Sequence, residues 1–152
     1  MNIAKTTDYK DIVTVFQDKR KLFPHIRLDY IDSMIRACKC VFQDGIVIMF
    51  TRYKRKNRIG NVIAPKGTYT IKQIVNSSIG NGNAQKILTL FLTQVEDDVY
   101  LSVRADNARA IQFYIKNNFV KVGTIAWKNG TIPGHVYCYP KSCLLYRNTT
   151  ID

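Results

Sequence analysis

The sequence predicts an α/β domain in which strands and helices are intermixed along the chain. Three observations predict it. The 152 residues are 46% hydrophobic, which is enough to fill one core of ordinary size and too apolar for a disordered chain. Apolar residues recur at helical spacing in several segments and at strand spacing between them. Turn signals, Asp44-Gly45 above all, separate neighbouring strands.

Residues 2–5 read as a short first strand. Asp8 is placed to cap a helix over residues 8–20, with Ile12, Val13, Val15 and Phe16 turned inward. Phe23-Pro24-His25 breaks it. A second helix covers residues 28–37, where Leu28, Ile31, Met34 and Ile35 keep helical spacing. Strands follow at 40–43 and 46–53. Residues 51–67 are polar, basic and punctuated by Gly60, Pro65 and Gly67, so at least part of them is a loop. A fourth strand spans 68–75. The stretch NSSIGNGNAQKILTLFL then passes through a Gly-bearing turn into a helix with Ala84, Ile87, Leu88, Phe91 and Val95 on one face. The fifth strand is 98–104, followed by a helix at 106–117, a sixth strand at 119–127, a loop at 128–134 and a last strand at 135–139. The tail CLLYRNTTID is ambiguous. No repeat or linker interrupts the pattern, so residues 1–152 read as a single domain.

Composition narrows the function. No apolar run reaches the length of a membrane span, and the longest, 46–50, is strand-sized. The N-terminus lacks the apolar stretch of a secretory signal. A cytoplasmic protein without a membrane partner is expected. Cys38, Cys40, Cys138 and Cys143 lack the C-x2-C spacing of a tetrahedral clip, so they read as buried thiols and no metal is expected. The 23 Lys and Arg against 11 Asp and Glu give a formal charge of +12, with Glu96 the single Glu. Such an imbalance points to a polyanionic partner, either nucleic acid or a phosphate-rich cofactor.

Two segments carry chemistry. In Ile79-Gly80-Asn81-Gly82-Asn83-Ala84, two glycines stand between a strand and a helix. Glycine lets the backbone approach a ligand, and the free N–H groups of a helix start favour an anion such as a pyrophosphate. In the second, LSVRADNARAIQFYIKNNF, Asp106 is placed to cap the helix. Asn107 then has no packing reason to be Asn. Tyr114, seven residues on, returns to roughly the same face.

Taken together these segments resemble the Gcn5-related N-acetyltransferase (GNAT) family. There a Q/R-x-x-G-x-G/A turn follows the fourth strand, and an N-x-x-A-x-x-F/L-Y-x-x-x-G-F pattern follows the fifth. Residues 107–119 match the second pattern, with Asn118 in place of the Gly, and Ser77 stands at the Gln/Arg position of the first. The resemblance implies a central mixed, mostly antiparallel sheet of six or seven strands. It also implies helices on both faces and a splay between strands four and five that holds an acyl group. It implies an acyl-CoA-dependent, acetyl-CoA-type N-acyltransferase. Backbone groups of Gly80, Asn81, Gly82, Asn83 and Ala84 would cradle the pyrophosphate, with Lys86 adding charge. Main-chain groups near Ile74 and Val75, together with Asn107, would bind the pantetheine arm. Tyr114 would protonate the leaving thiolate.

The acceptor is argued from what is absent. A lysine-type amine, with a pKa near 10.4, is neutral in only about one molecule in a few thousand at pH 7, so it benefits from a base. Relatives place a Glu on the fourth or fifth strand. Here those strands offer Lys72 and Gln73, then Ser102 and Arg104. Either His25 or His135 supplies the base, with Ser102 as a further catalytic candidate, or the amine is uncharged from the start, as nucleobase amines are. The second option meets the basic run Arg52-Tyr53-Lys54-Arg55-Lys56-Asn57-Arg58. Its cations suit phosphates and its aromatic suits a base. The small basic chain resembles, more loosely, phage Mom-type DNA modifiers, and GNAT toxins that acylate tRNA are similarly basic. A protein or small-molecule amine acceptor, and a catalytically inactive nucleic-acid-binding relative, are the alternatives. The protein is expected to be a monomer or homodimer.

Overall fold

The computed structural model describes residues 1–19, 23–77 and 82–141. The tail at 143–152, Gly80 and Asn81 lie outside them. A single 3-10 turn, Thr6–Asp8, leads into α1 (Tyr9–Asp18) and α2 (Leu28–Arg36). Strands β1 (Cys40–Gln43), β2 (Ile46–Arg52), β3 (Asn57–Ile59), β4 (Val62–Ala64) and β5 (Tyr69–Asn76) precede α3 (Asn83–Gln94). The chain continues through β6 (Val99–Arg104), α4 (Ala108–Lys116), β7 (Val120–Trp127) and β8 (Ile132–Tyr139). Six strands form one sheet in the order β1-β2-β5-β6-β8-β7, and β3 pairs with β4 in a separate ribbon. The predicted mixed, mostly antiparallel sheet is therefore present. Its parallel pair is β5 with β6, joined through Tyr69↔Val99 and Thr70↔Tyr100.

The chain divides into two compact units. Met1–Thr51 with Ile71–Val95 form the first, and Arg52–Thr70 with Glu96–Asp152 the second. Strand β5 contributes residues to both.

In the first unit, β2 is buried on both faces from Ile46 to Met49, as a continuous apolar run requires. Val47 and Met49 meet Ile12, Val15 and Phe16 of α1 and Ile31, Met34 and Ile35 of α2 in one cluster. Phe50, of opposite parity, meets Phe91 of α3 with ring centroids 5.0 Å apart. Helices thus cover both faces, as expected.

In the second unit, the β3–β4 ribbon covers one face of β6 and β8. Ile59 and Ala64 pack with Tyr100, Val136 and Cys138. Its turn reaches β7, the last strand of the sheet. The Asn61 side-chain oxygen accepts the Thr124 N–H at 2.8 Å, and the Asn61 N–H donates to the Thr124 carbonyl at 3.0 Å. Gly60, at φ +59, leaves no room for a Cβ, which would strike the Thr124 carbonyl.

Three expectations change and one is filled in. Residues 2–5 make only an isolated bridge, Ile3↔Val41, so the sheet has six strands. The chain turns away at once because the Lys5 N–H is held by the Asp8 carboxylate at 2.8 Å. Asp8 therefore grips backwards and makes no side-chain cap to α1, which ends at Asp18. Part of the basic stretch at 51–67 is the β3–β4 ribbon rather than loop. Its three-residue strands are too short to show a periodicity. Finally, Asn107 caps α4, and Asp106 instead binds Arg104 at 3.0 and 3.2 Å.

Among the described residues, no helix is long and apolar enough to cross a membrane, and no group of three or more His, Cys, Asp or Glu side chains converges as a metal site.

Candidate active site

The start of α3 belongs to the first unit. Gly82 takes a left-handed φ of +78 at the N-cap, and a Cβ there would meet no atom of the described residues within 4 Å. Among those residues no side chain caps the helix. The first N–H groups, those of Asn83 and Ala84 included, have no intrahelical acceptor by geometry and lie at the positive end of the helix dipole. The side chains nearby are committed elsewhere. The Asn83 amide donates to the Asp44 carbonyl at 3.3 Å, and Lys86 lies 3.5 Å from the Asp44 carboxylate in an exposed pair. Lys86 is therefore partly neutralised. Ser77 donates its N–H to the Gly45 carbonyl at 3.0 Å, and its Oγ occupies the space where a Cβ of Gly45 would be. A short side chain suits that close approach to the β1–β2 turn. On β5, Val75 is buried in the core and Ile74 is half-buried.

The same unit holds an open pocket of about 450 Å³. Phe23, Pro24 and Ile26 supply its apolar wall, Tyr30 and Gln73 a polar one, and His25 and Arg27 also line it. The Tyr30 hydroxyl donates to the Gln73 Oε1 at 3.2 Å. Burial pushes the phenol pKa up, and the Gln73 hydrogen bond pulls against that shift. Arg27 is paired with Asp29 at 3.1 Å, both side chains largely exposed. His25 is exposed. Tyr30 is the site residue that sequence reasoning passed over. The available signal was a large aromatic beside Leu28 and Ile31 but off their apolar stripe.

In the second unit, α4 is bounded at both ends by side-chain and backbone logic. The Asn107 Oδ1 accepts the Ala110 N–H at 3.2 Å, which gives Asn107 the packing reason it lacked in sequence. At the other end the Phe119 N–H reaches the Tyr114 carbonyl at 3.0 Å and the Asn118 N–H reaches that of Ile115 at 3.1 Å. This is a Schellman ending, and Asn118 supplies its left-handed residue with φ +70. Asn is the residue after Gly that tolerates this region best, which explains the substitution in the motif. Asn117 adds a bond from its amide to the Phe113 carbonyl at 2.8 Å.

Tyr114 keeps some exposed surface, and its ring meets Phe113 at 5.7 Å and Phe119 at 5.6 Å. Its hydroxyl makes no hydrogen bond among the described residues, and burial pushes its pKa up to about 12. At neutral pH it is a proton donor only. Ser102 is exposed on β6, opposite Val136. His135, on β8, is opposite Val103 and Thr124, and its Nδ1 is buried without a hydrogen-bond partner among the described residues.

The basic run divides into two groups. Arg52 is occupied: it donates to the Gly67 carbonyl at 3.1 Å and lies 5.4 Å from the Tyr69 ring centre. Tyr53 packs against the Ile59 cluster, which removes a face expected to be open for stacking. Lys54, Arg55, Lys56 and Arg58 are exposed and form no ion pair among the described residues. They stand on the β2–β3 connection and on β3.

No protein-family model and no curated protein matches the chain. Solved structures do. A GNAT-family acetyltransferase from Streptococcus agalactiae is 15% identical with a TM-score of 0.70, covering 92% of this chain and 94% of that one. NAA60 of Arabidopsis thaliana in complex with acetyl-CoA is 15% identical with a TM-score of 0.65, covering 91% and 97%. The ribosomal-protein-S18-alanine N-acetyltransferase of Escherichia coli is 14% identical with a TM-score of 0.57, covering 91% of each chain. At such identity the likeness establishes the fold, and the chemistry has to be argued from the residues.

Proposed function

We propose that this chain, which has the fold of the GNAT acetyltransferases, is an acyl-CoA-dependent N-acyltransferase. The observation that carries the reading is the uncapped start of α3. A left-handed glycine at the N-terminus of the helix, at the positive end of its dipole and with no described atom crowding it, is chemically suited to a pyrophosphate. Gly82, Asn83 and Ala84 would hold that group, and Gly80 and Asn81 belong to the same proposed cradle. Main-chain groups near Ile74 and Val75 and the free amide N–H2 of Asn107 would hold the arm. The reaction is attack of a neutral amine on the thioester carbonyl. The C–N bond forms, the C–S bond breaks, the Tyr114 phenol gives its proton to the departing sulfur, and the proton shed by the attacking nitrogen goes to a base or to solvent and so restores the phenol. Tyr114 suits this role because it is protonated and its hydroxyl is uncommitted. His25 and His135 remain the candidate bases and Ser102 a further polar candidate.

The acceptor favoured by charge is an amine on a nucleic acid, because Lys54, Arg55, Lys56 and Arg58 are exposed and unneutralised. Arg52 and Tyr53 contribute less than the sequence suggested. A protein or small-molecule amine is the competing acceptor, and a nucleic-acid-binding protein without turnover the competing class. A cytoplasmic monomer or homodimer is consistent with either.

Acetyl-CoA at millimolar concentration should raise the Tm through binding linkage, and Tyr114→Phe should keep that shift while losing thiol release. No shift at that concentration would reject the enzyme. Mass spectrometry of nucleosides and proteins from cells expressing the chain, against the Tyr114→Phe control, identifies the acceptor.

A further inference from the structure

The pocket beside α2 has a composition that selects among amines. Among the described residues, none that lines it is an acid. Asp29, the nearest carboxylate in sequence, is exposed and already paired with Arg27. The wall presented by β5 is the amide of Gln73, a neutral group held by the Tyr30 hydroxyl at 3.2 Å. Phe23, Pro24 and Ile26 make the opposite surface apolar. An alkylammonium entering this space would shed hydration against Phe23, Pro24 and Ile26 and gain no counter-charge from the described lining residues. An uncharged aromatic amine meets none of these costs. Its ring is matched by Phe23, Pro24 and Tyr30. Gln73 already spends Oε1 on Tyr30, so its N–H2 remains to donate to a ring nitrogen or carbonyl. The volume, about 450 Å³, lies within the usual range for small-molecule sites of about 300–1,000 Å³.

We propose that the pocket formed by Phe23, Pro24, Ile26, Tyr30 and Gln73 binds aromatic or heteroaromatic amines that are uncharged at neutral pH, and that Gln73 is the residue that sets this selectivity. It rests on the acyl-transfer reading only in taking the bound amine to be the acceptor. Such an amine already carries its nucleophilic lone pair, so no carboxylate is needed to deprotonate it before attack, and the proton it sheds afterwards passes to a histidine or to solvent.

Aniline and benzylamine test it, because they share a ring and differ in charge at pH 7. Ligand-observed NMR titration of the whole protein, without acyl-CoA, reads binding independently of turnover. The wild type should bind aniline at least about tenfold more tightly than benzylamine, a difference of about 1.4 kcal/mol. Gln73→Glu should reverse that order. Gln73→Met, uncharged and of similar volume, should keep it, which controls for a merely structural effect. Equal affinities in the wild type, or an unchanged order in a folded Gln73→Glu protein, would overturn the proposal. If the preference holds while acetyl-CoA neither binds nor turns over, the acyl-transfer reading fails and the pocket assignment stands.

Discussion

The Phe119 N–H donates to the Tyr114 carbonyl at 3.0 Å, and the two rings meet edge-on with centroids 5.6 Å apart. The first contact ends α4 and the second is the hydrophobic clasp that accompanies such an ending. The backbone and ring of Tyr114 therefore have a structural role, whereas its hydroxyl has none among the described residues. A functional role for this residue has to be sought in the hydroxyl alone.

Tyr114→Phe should accordingly change stability by less than about 1 kcal/mol, since no hydrogen bond is lost. Tyr114→Ala should cost about 3 kcal/mol by opening the aromatic cluster. Urea unfolding measures both. Loss of thiol release in the stable Phe variant then belongs to chemistry and not to folding.

Asn107 separates a cap from a ligand contact in the same way. Asn107→Ala should lower stability by about 1 kcal/mol, while Asn107→Asp keeps the acceptor for the Ala110 N–H and should stay near wild type. The Asp variant exchanges the amide N–H2 for a carboxylate oxygen and adds a negative charge, so its effect on acetyl-CoA is compared at low and high salt. Weaker acetyl-CoA binding by that variant, read by calorimetry, would place the amide on the cofactor. Unchanged affinity would leave Asn107 as a cap alone.

Asn118 predicts the backbone cost directly. At φ +70, Asn118→Gly should be neutral or slightly stabilising, and Asn118→Val should cost about 1–2 kcal/mol. Thermal melts of the three proteins check the order.

Cys40 is fully buried, and burial, aided by the Asp8 charge, pushes its thiol from 9.0 up to about 12. The native state holds this proton where the unfolded chain releases it. The contribution is complete below pH 9 and is lost as pH rises towards 12. Stability should fall through that window, and Cys40→Ala should flatten the fall. Tyr30, Tyr100 and Tyr114, each raised chiefly by burial, account for the slope that remains. Denaturant midpoints taken across alkaline pH give the comparison.

The exposed cations predict a salt effect. Replacing Lys54, Arg55, Lys56 and Arg58 with Ala should weaken nucleic-acid binding. If each touches a phosphate of duplex DNA, the slope of log affinity against log salt should shrink by about 3.6. An unchanged slope would separate the basic ribbon from any nucleic acid.

Legibility in the sequence followed periodicity. Helices α1, α2 and α3 and strands β2 and β6 were readable because each buries a regular stripe, such as Ile31, Met34 and Ile35. The β3–β4 ribbon was not, because Arg58 and Ile63 face outward as a pair and only Ile59, Val62 and Ala64 turn inward. The cap was misassigned to Asp106 because Asp and Asn are equally good caps by type. The choice is made by Arg104, which takes the Asp106 carboxylate. Tyr30 was hidden for a different reason. Its partner Gln73 is 43 residues away in the chain, and pairings at that range leave no local pattern. Ser77 and Asn118 read as departures from a motif, and both acquire local causes in the Gly45 turn and the left-handed helix ending.

The contact of Asn61 with Thr124 has a consequence for the company the molecule keeps. Strand β7 ends the sheet, and its backbone would otherwise offer a template to any extended chain. The ribbon occupies one amide and one carbonyl of that border, much as a neighbouring strand would. Lys121 places a charge further along it. The segment that carries the most concentrated positive charge is thus also a guard against strand addition. A truncation that deletes it to abolish polyanion binding would create a sticky, self-associating protein, so point substitutions are the sound way to question those cations.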